Sequence, residues 1–266
     1  MPRLVRLDAE LVRRGLARSR EQAVELIDAG RVELRGVTAT KAATGVAPET
    51  PLRVVVDDQD PGYASRGGFK LAGALAAFEG LAVEGRRCLD AGASTGGFTD
   101  VLLRAGASHV VAVDVGYGQL AWSLRSDGRV TVVDRTNVRF LTPHQIGGPA
   151  EVTVADLSFI SLRLVLPALA SCTDVRGDLV PMVKPQFEVG RERLGSGGVV
   201  RDPAHRLAAV LDVARAAAEL GLGTAGVTTS PLSGPAGNVE FFLWLRRDAP
   251  PPEPGMIERV VVEGGG

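Results

Sequence analysis

Two hydrophobic rhythms divide the chain. Up to Val56, apolar residues recur at helical spacing in two short segments and then alternate in two shorter ones. In RLDAELVRRGLA (6–17), Leu7, Leu11 and Val12 predict a helix that stops at Gly15. SREQAVELIDAG (19–30) predicts a second, opened by a capping Ser19 with Gln22 three residues on and closed by Gly30. RVELRGV (31–37) and PLRVVV (51–56) read as short strands around a Gly/Ala/Thr loop. The acids and Pro-Gly of DDQDPG (57–62) then mark a linker.

From Ser65 strands and helices alternate. SRGGFKLAGALAAFEG (65–80) predicts a helix, RRCLDAG (86–92) a buried strand and STGGFTDVLLRAG (94–106) a helix. SHVVAVDV (108–115) is a strand, QLAWSLRSD (119–127) a helix and VTVVD (130–134) a strand. EVTVADLS (151–158) is a strand, SLRLVLPALASC (161–172) a helix, DLVPMVKP (178–185) a strand and PAHRLAAVLDVARAAAELG (203–221) a long helix. VTTSPL (227–232) and NVEFFLWLRR (238–247) look like a strand pair, so the last strand is expected to return antiparallel. Repeated strand–helix units with apolar strands imply an α/β fold, a parallel sheet covered on both faces. The expected organisation is a small α+β domain over 1–59, a linker over 60–64, the α/β domain over 65–248 and a tail over 249–266. That tail is Pro- and Gly-rich and is expected to fray.

Composition sharpens this. The 266 residues are 45% hydrophobic with a net charge of -1, so any nucleic-acid surface must be local. One lies to hand, since the chain up to Val56 holds ten basic against seven acidic residues. Cys88 and Cys172 match no metal spacing and read as small core residues in a reducing compartment; His109, His144 and His205 are scattered and read as structural. The N-terminus has charges every few residues and no signal-peptide core. The longest uncharged stretch, Leu220 to Val239, is broken by Gly, Pro, Ser and Thr. A soluble cytoplasmic protein without a membrane span or metal is the expectation. Of 30 basic residues only Lys41, Lys70 and Lys184 are lysines. Where a bare charge suffices this chain uses Arg, so a retained Lys either marks a place where a guanidinium, which cannot be deprotonated, would fail or has survived by chance, and its position decides between the two.

LDAGASTGGFTD (89–100) follows the first strand of the α/β domain and opens a helix, the position where such sheets bind ligands. Gly92, Gly96 and Gly97 permit close backbone approach, with Ser94, Thr95 and Phe98 in the same loop. Asp114 ends the next strand, where an acid accepts from ribose hydroxyls, so the ligand is of adenosine type. The spacing G-x-x-x-G-G is neither the dinucleotide fingerprint nor a Walker loop, which weakens NAD and ATP. Asp90, just before the glycines, would repel a pyrophosphate but suits a ligand bearing an amine and a sulfonium. S-adenosylmethionine is the expected cofactor.

LDAGASTGGFTD, VDVGYGQLAW, DRTN, ADLSFISL, VKPQFEVGR and GVVRDP together resemble the TlyA (hemolysin A) family of rRNA methyltransferases, over residues 3 to about 247. The resemblance implies an S4-type RNA-binding domain ahead of a Rossmann-like, FtsJ-like methyltransferase domain. It brings Asp134 of DRTN and Asp156 of ADLS into the cofactor site. It also implies a Lys-Asp-Lys-Glu tetrad, which falls on Lys70, Asp156, Lys184 and Glu240. A ribose 2′-hydroxyl is a poor nucleophile unless its proton is drawn off as it attacks, and a lysine can do this where an arginine cannot. Lys184 is then the base or hydroxyl-steering group, with Asp156 as partner and Lys70 and Glu240 orienting the ribose. Arg3, Arg6, Arg18, Arg20, Arg35 and Arg66 are candidate RNA contacts, while Lys41 is either a phosphate contact or plain surface charge. The implied substrate is a cytidine in rRNA, free or in a ribosomal subunit. The rival readings are an RNA-binding protein on an inactive methyltransferase fold, a membrane-active haemolysin, and a dehydrogenase. The first would have lost tetrad or loop residues, the second lacks a spanning segment, and the third lacks the dinucleotide spacing.

Overall fold

The computed structural model describes residues 4–17, 20–55, 61–234 and 236–264. Arg3, Arg18 and the capping Ser19 lie outside the described residues. The chain divides into two units, Met1–Gly62 and Tyr63–Gly266.

In the first unit β1 (Val5–Arg6) runs straight into α1 (Leu7–Arg13), followed by α2 (Arg20–Asp28), β2 (Val32–Leu34), β3 (Val37–Thr38), β4 (Gly45–Val46) and β5 (Leu52–Val54). The apolar spacing of the two helices is what builds the core: Leu7 and Leu11 meet Ala23, Ile27 and Val32 there, all essentially inaccessible. β3-β2-β5 form an antiparallel sheet as the alternating segments suggest. β1 and β4 pair separately and are two residues long, too short to leave a rhythm in the sequence.

The second unit contains α3 (Gly67–Ala77), β6 (Arg87–Ala91), α4 (Gly97–Arg104), β7 (His109–Val113), α5 (Trp122–Arg125), β8 (Val130–Val133) and β9 (Ala150–Ala155). Then come α6 (Leu162–Cys172), β10 (Thr173–Val183), α7 (Pro185–Glu188), α8 (Pro203–Glu219), β11 (Gly223–Thr229), β12 (Phe241–Arg246) and α9 (Pro254–Glu263). Seven strands lie in the order β11-β12-β10-β9-β6-β7-β8, all parallel except β12, which runs antiparallel to both neighbours as its sequence predicts. Strand residues alternate between two cores: Val111 and Val113 belong to the one shared with α6, α8 and α9, while Val110 and Ala112 belong to the one shared with α3 and α4. Cys88 and Cys172 are free and buried in these cores.

Three differences from the sequence reading have local causes. β10 starts five residues early because α6 passes into it with no loop, across an irregular register between Thr173 and Asp178. α5 is a single turn of four residues. The tail does not fray: α9 occupies Pro254–Glu263, with Pro254 at its first position, and buries Ile257 and Val261 completely. Its two apolar anchors were hidden in a stretch whose Pro and Gly residues dominate the pattern. Ile257→Ala should therefore lower stability by about 2–5 kcal/mol, the cost of emptying a packed core position. Urea unfolding checks this; a change below about 0.5 kcal/mol, typical of surface sites, would mean that the helix is not anchored.

Candidate active site

Strand order reverses between β6 and β9, and the ends of these two strands frame the site. Gly92 leaves β6 at φ +91°, and its N–H donates to Val113 O (2.8 Å) while Asp156 N–H donates to Ala91 O (3.0 Å). A Cβ on residue 92 would lie 2.3 Å from the carbonyl oxygen of Asp156, so only glycine lets the two strand ends close up. Gly97 does the same for the helices. A Cβ there would meet Ser65 Oγ at 2.3 Å and Gly68 N at 2.8 Å, so α4 packs directly on the start of α3, which carries Lys70.

Beside this junction lies a cleft of about 520 Å³. Gly92, Ser94, Asp114 and Asp156, all expected from the sequence, line it. Asp114 is held rigidly: Oδ2 accepts from Ser94 N–H (2.8 Å) and Oδ1 from Gly116 N–H (2.7 Å). The remaining wall is Val115, Gln119, Thr136, Asn137, Val138, Leu157, Ser158, Phe159, Ile160 and Val165, which sequence reasoning did not single out. Most follow β7, β8 or β9, so "first residues after a parallel strand" was the available signal. Phe159 is 91% exposed and adopts φ +63°, a strained conformation for an aromatic residue.

Other expected cofactor residues sit elsewhere. Thr95, Gly96, Gly97 and Phe98 shape the loop without lining the cleft, and Phe98 is a core residue packed on Phe242. Asp134 accepts from Gly118 N–H and from Arg125 Nη1, both at 3.2 Å. Asp90 is wholly buried rather than facing the cleft; Thr99 Oγ1 donates to one of its oxygens (2.7 Å) and the other has no partner among the described residues. Burial pushes this carboxyl up to about 7, against the pull of the Thr99 hydrogen bond.

The tetrad residues come as two pairs on neighbouring elements. Lys184 follows the last residue of β10, Val183, which pairs with Phe241, so Glu240 lies across from Lys184 at the same sheet edge. Lys184 Nζ lies 2.5 Å from Asp156 Oδ1 and donates to Ser158 Oγ (3.0 Å), two groups of the cleft wall. Lys70 Nζ, reaching from α3, donates to Glu240 Oε2 (2.5 Å). Lys70 and Glu240 are 5% and 1% exposed, so each charge has its partner in place of water. Of the expected RNA contacts in this unit, Arg66 donates to Ser233 O (3.0 Å).

In the first unit Arg6 and Arg20 both pair with the buried Asp8 (3.0 and 2.9 Å) yet remain 52% and 61% exposed. These hydrogen bonds hold Asp8 down to about 2 against its burial. Glu10 is likewise held at about 2, by Arg13 and Arg14. Arg35 stands exposed in the β2–β3 turn at φ +54°, and Lys41 is exposed.

A seven-stranded sheet with one reversed strand, a glycine loop and strand-end acid beside a cleft, and two lysine–carboxylate pairs define a methyltransferase-type α/β domain, here following a small α+β domain. The models of two families agree: the FtsJ-like methyltransferase matches residues 63–247 and the S4 domain residues 5–50. The chain belongs to the FtsJ-like methyltransferase family. It is 63% identical to the 16S/23S rRNA (cytidine-2'-O)-methyltransferase TlyA of Mycobacterium tuberculosis over 92% of this chain and 91% of that one. It is 36% identical to Hemolysin A of Brachyspira hyodysenteriae over 90% and 98% of the two chains. A solved structure of a hemolysin candidate from Streptococcus thermophilus superposes with a TM-score of 0.79 at 40% identity, covering 99% of this chain and 96% of that one. No helix among the described residues is long and apolar enough to cross a membrane.

Asp90 generates a prediction about pH. The folded protein keeps this proton up to about pH 7, whereas an unfolded chain releases it near 4. The unfolded state therefore binds fewer protons in that window, and Asp90 costs stability progressively from about pH 4 to 7. In urea unfolding, the stability of Asp90→Asn relative to the native chain should rise across that window and level off above it. A difference that does not change with pH would show that the buried carboxyl titrates normally.

Proposed function

We propose that this chain transfers a methyl group from S-adenosylmethionine to the ribose 2′-hydroxyl of a cytidine in ribosomal RNA, in the cytoplasm. The observation that carries the reading is the Lys184–Asp156 pair on the wall of the cleft, backed across the sheet edge by the buried Lys70–Glu240 pair. The 63% identity to a protein named for that reaction supports it.

The residues present suit the cofactor. Asp114, fixed by two backbone N–H groups, has lone pairs left for the ribose hydroxyls of an adenosine. Val115, Val138 and Ile160 offer apolar walls for a base, and Thr136 and Asn137 polar edges. S-adenosylmethionine, when bound, supplies an electrophilic methyl on a sulfonium sulfur. The protein's own task is to bring one hydroxyl oxygen into line and dispose of its proton. As the neutral amine Lys184 Nζ takes the proton of the 2′-oxygen while the C–S bond to the methyl breaks, or as the ammonium it steers that oxygen by donating to it; Asp156 and Ser158 hold the nitrogen against the cleft wall. Lys70 and Glu240 neutralise each other and fix α3 against the sheet edge that receives the ribose. The exposed ring of Phe159, next to Ser158, presents a face on which an unpaired base can stack.

The N-terminal unit is read as the RNA anchor. Asp8 holds the Arg6 and Arg20 guanidiniums in fixed, half-exposed positions from which phosphate can be met. Arg35 and Lys41 add exposed charge, and in the second unit the partly buried Arg66 adds another. All four tetrad residues and the glycine loop are present in the sequence, which disfavours an RNA-binding protein on an inactive fold.

The experiment is transfer of label from tritiated S-adenosylmethionine to ribosomal RNA or subunits. The expected product is an alkali-resistant dinucleotide containing 2′-O-methylcytidine; label recovered on a base, or none, would overturn the reading. Asp114→Ala should weaken S-adenosylmethionine binding by about 10- to 100-fold, matching the ~1.5–3 kcal/mol of a charge-assisted hydrogen bond. Calorimetry showing unchanged affinity would remove Asp114 from the cofactor site.

A further inference from the structure

Glu188 ends the one-turn helix α7, four residues after Lys184, with only 1% of its side chain exposed. It stands in none of the expected roles. Its carboxylate accepts from Ser161 Oγ–H (2.5 Å) and from Leu162 N–H (2.7 Å), with Arg163 Nε at 3.6 Å. Ser161 and Leu162 are the cap and first residue of α6, so the carboxylate occupies that helix's N-terminus, where a negative charge is favoured. Burial pushes this carboxyl up, and the hydrogen bonds from Ser161 and Leu162 oppose that shift.

The connection from β9 to α6 runs from Asp156 to Ser161 and contains the cleft residues Leu157, Ser158, Phe159 and Ile160. At one end it is bound by Lys184, through Asp156 and Ser158. Glu188 binds it at the other. Between them the Phe187 ring packs 5.2 Å from that of Phe159, the loop's strained residue. Lys184 to Glu188 thus clasps both ends and the middle of the segment that carries Asp156. A backbone held at φ +63° on an exposed phenylalanine persists only where its surroundings over-determine it, and this clasp is that surrounding.

We infer that Glu188 is a positioning residue for methyl transfer: by fixing the far end of the 156–161 loop it holds Asp156 and Ser158 where they place the Lys184 side-chain nitrogen. This rests on the reading of Lys184 and Asp156 given above. A carboxylate fits because Leu162 N–H can only donate, and the Ser161 hydroxyl, whose oxygen already accepts from Arg163 N–H and Nε (both 3.3 Å), has its proton left to give. An amide of the same shape can present one oxygen to them but must turn an N–H₂ toward the other.

The test is Glu188→Gln in the full-length protein, with thermal unfolding, calorimetry for S-adenosylmethionine, and single-turnover methylation of ribosomal subunits. The expected result is chemistry slowed by about 10- to 100-fold in protein that is still folded at the assay temperature, with the affinity for S-adenosylmethionine and the KM for RNA unchanged. Glu188→Asp, which keeps the charge, should recover part of the loss. A glutamine variant whose folded fraction turns over at the native rate overturns the inference, as does a loss confined to KM or cofactor affinity. If the native chain transfers no methyl to the 2′-oxygen, the underlying reading fails instead, so the two failures are distinguishable.

Discussion

The site depends on one close approach. The carbonyl of Asp156 occupies the space that a side chain on residue 92 would need, with only 2.3 Å between it and a Cβ there. This lets β6 and β9 end side by side at the point where strand order reverses, bound by the Asp156 N–H to Ala91 O hydrogen bond. The glycine loop, the Asp114 carboxylate and the Asp156–Lys184 pair are thereby gathered on one cleft. A larger residue at 92 would have to drive two strand ends apart, and the cleft they frame would move with them.

Upon that junction the chain places its charges by a consistent rule. Arginine serves where the cation itself stays partly exposed, whether the carboxylate is buried, as at Asp8 and Glu10, or nearer the surface, as at Asp100 and Asp134. Lysine appears twice at the carboxyl edge of the sheet, each time 2.5 Å from a carboxylate. The buried Lys70–Glu240 pair adds little net stability, since desolvating both charges offsets their attraction, while Asp156 of the second pair opens on the cleft. Their presence beside a cleft is better explained by the work of holding an amine in place for proton chemistry.

Much of this was legible beforehand, for physical reasons. The α/β order and the reversed last strand follow from apolar runs bounded by turn residues, whereas Lys70, Asp156, Lys184 and Glu240 were singled out by the family resemblance, Lys70 lying inside a helix where no strand-end signal exists. Period-based reading failed where an element was too short or its composition misleading: β1 and β4 with two residues each, and α9 among prolines and glycines. Asp90 was misplaced because a strand-end acid can turn inward as well as outward, and only packing decides; here it is sealed against Thr99. The cleft wall after β9 and the clasp by Glu188 were invisible for the same reason, since they arise from two loops meeting across adjacent strands.

The account's central claim is that Lys184 acts on the proton of the attacking hydroxyl and is more than a positive charge. Lys184→Arg keeps charge and roughly the reach while remaining protonated in any protein environment. Single-turnover methylation of ribosomal subunits at saturating S-adenosylmethionine measures the difference directly. The account predicts near-normal binding of cofactor and RNA with methyl transfer slowed by about 10²–10⁴-fold. Native turnover in the arginine variant would contradict it and leave Lys184 as an anchor only.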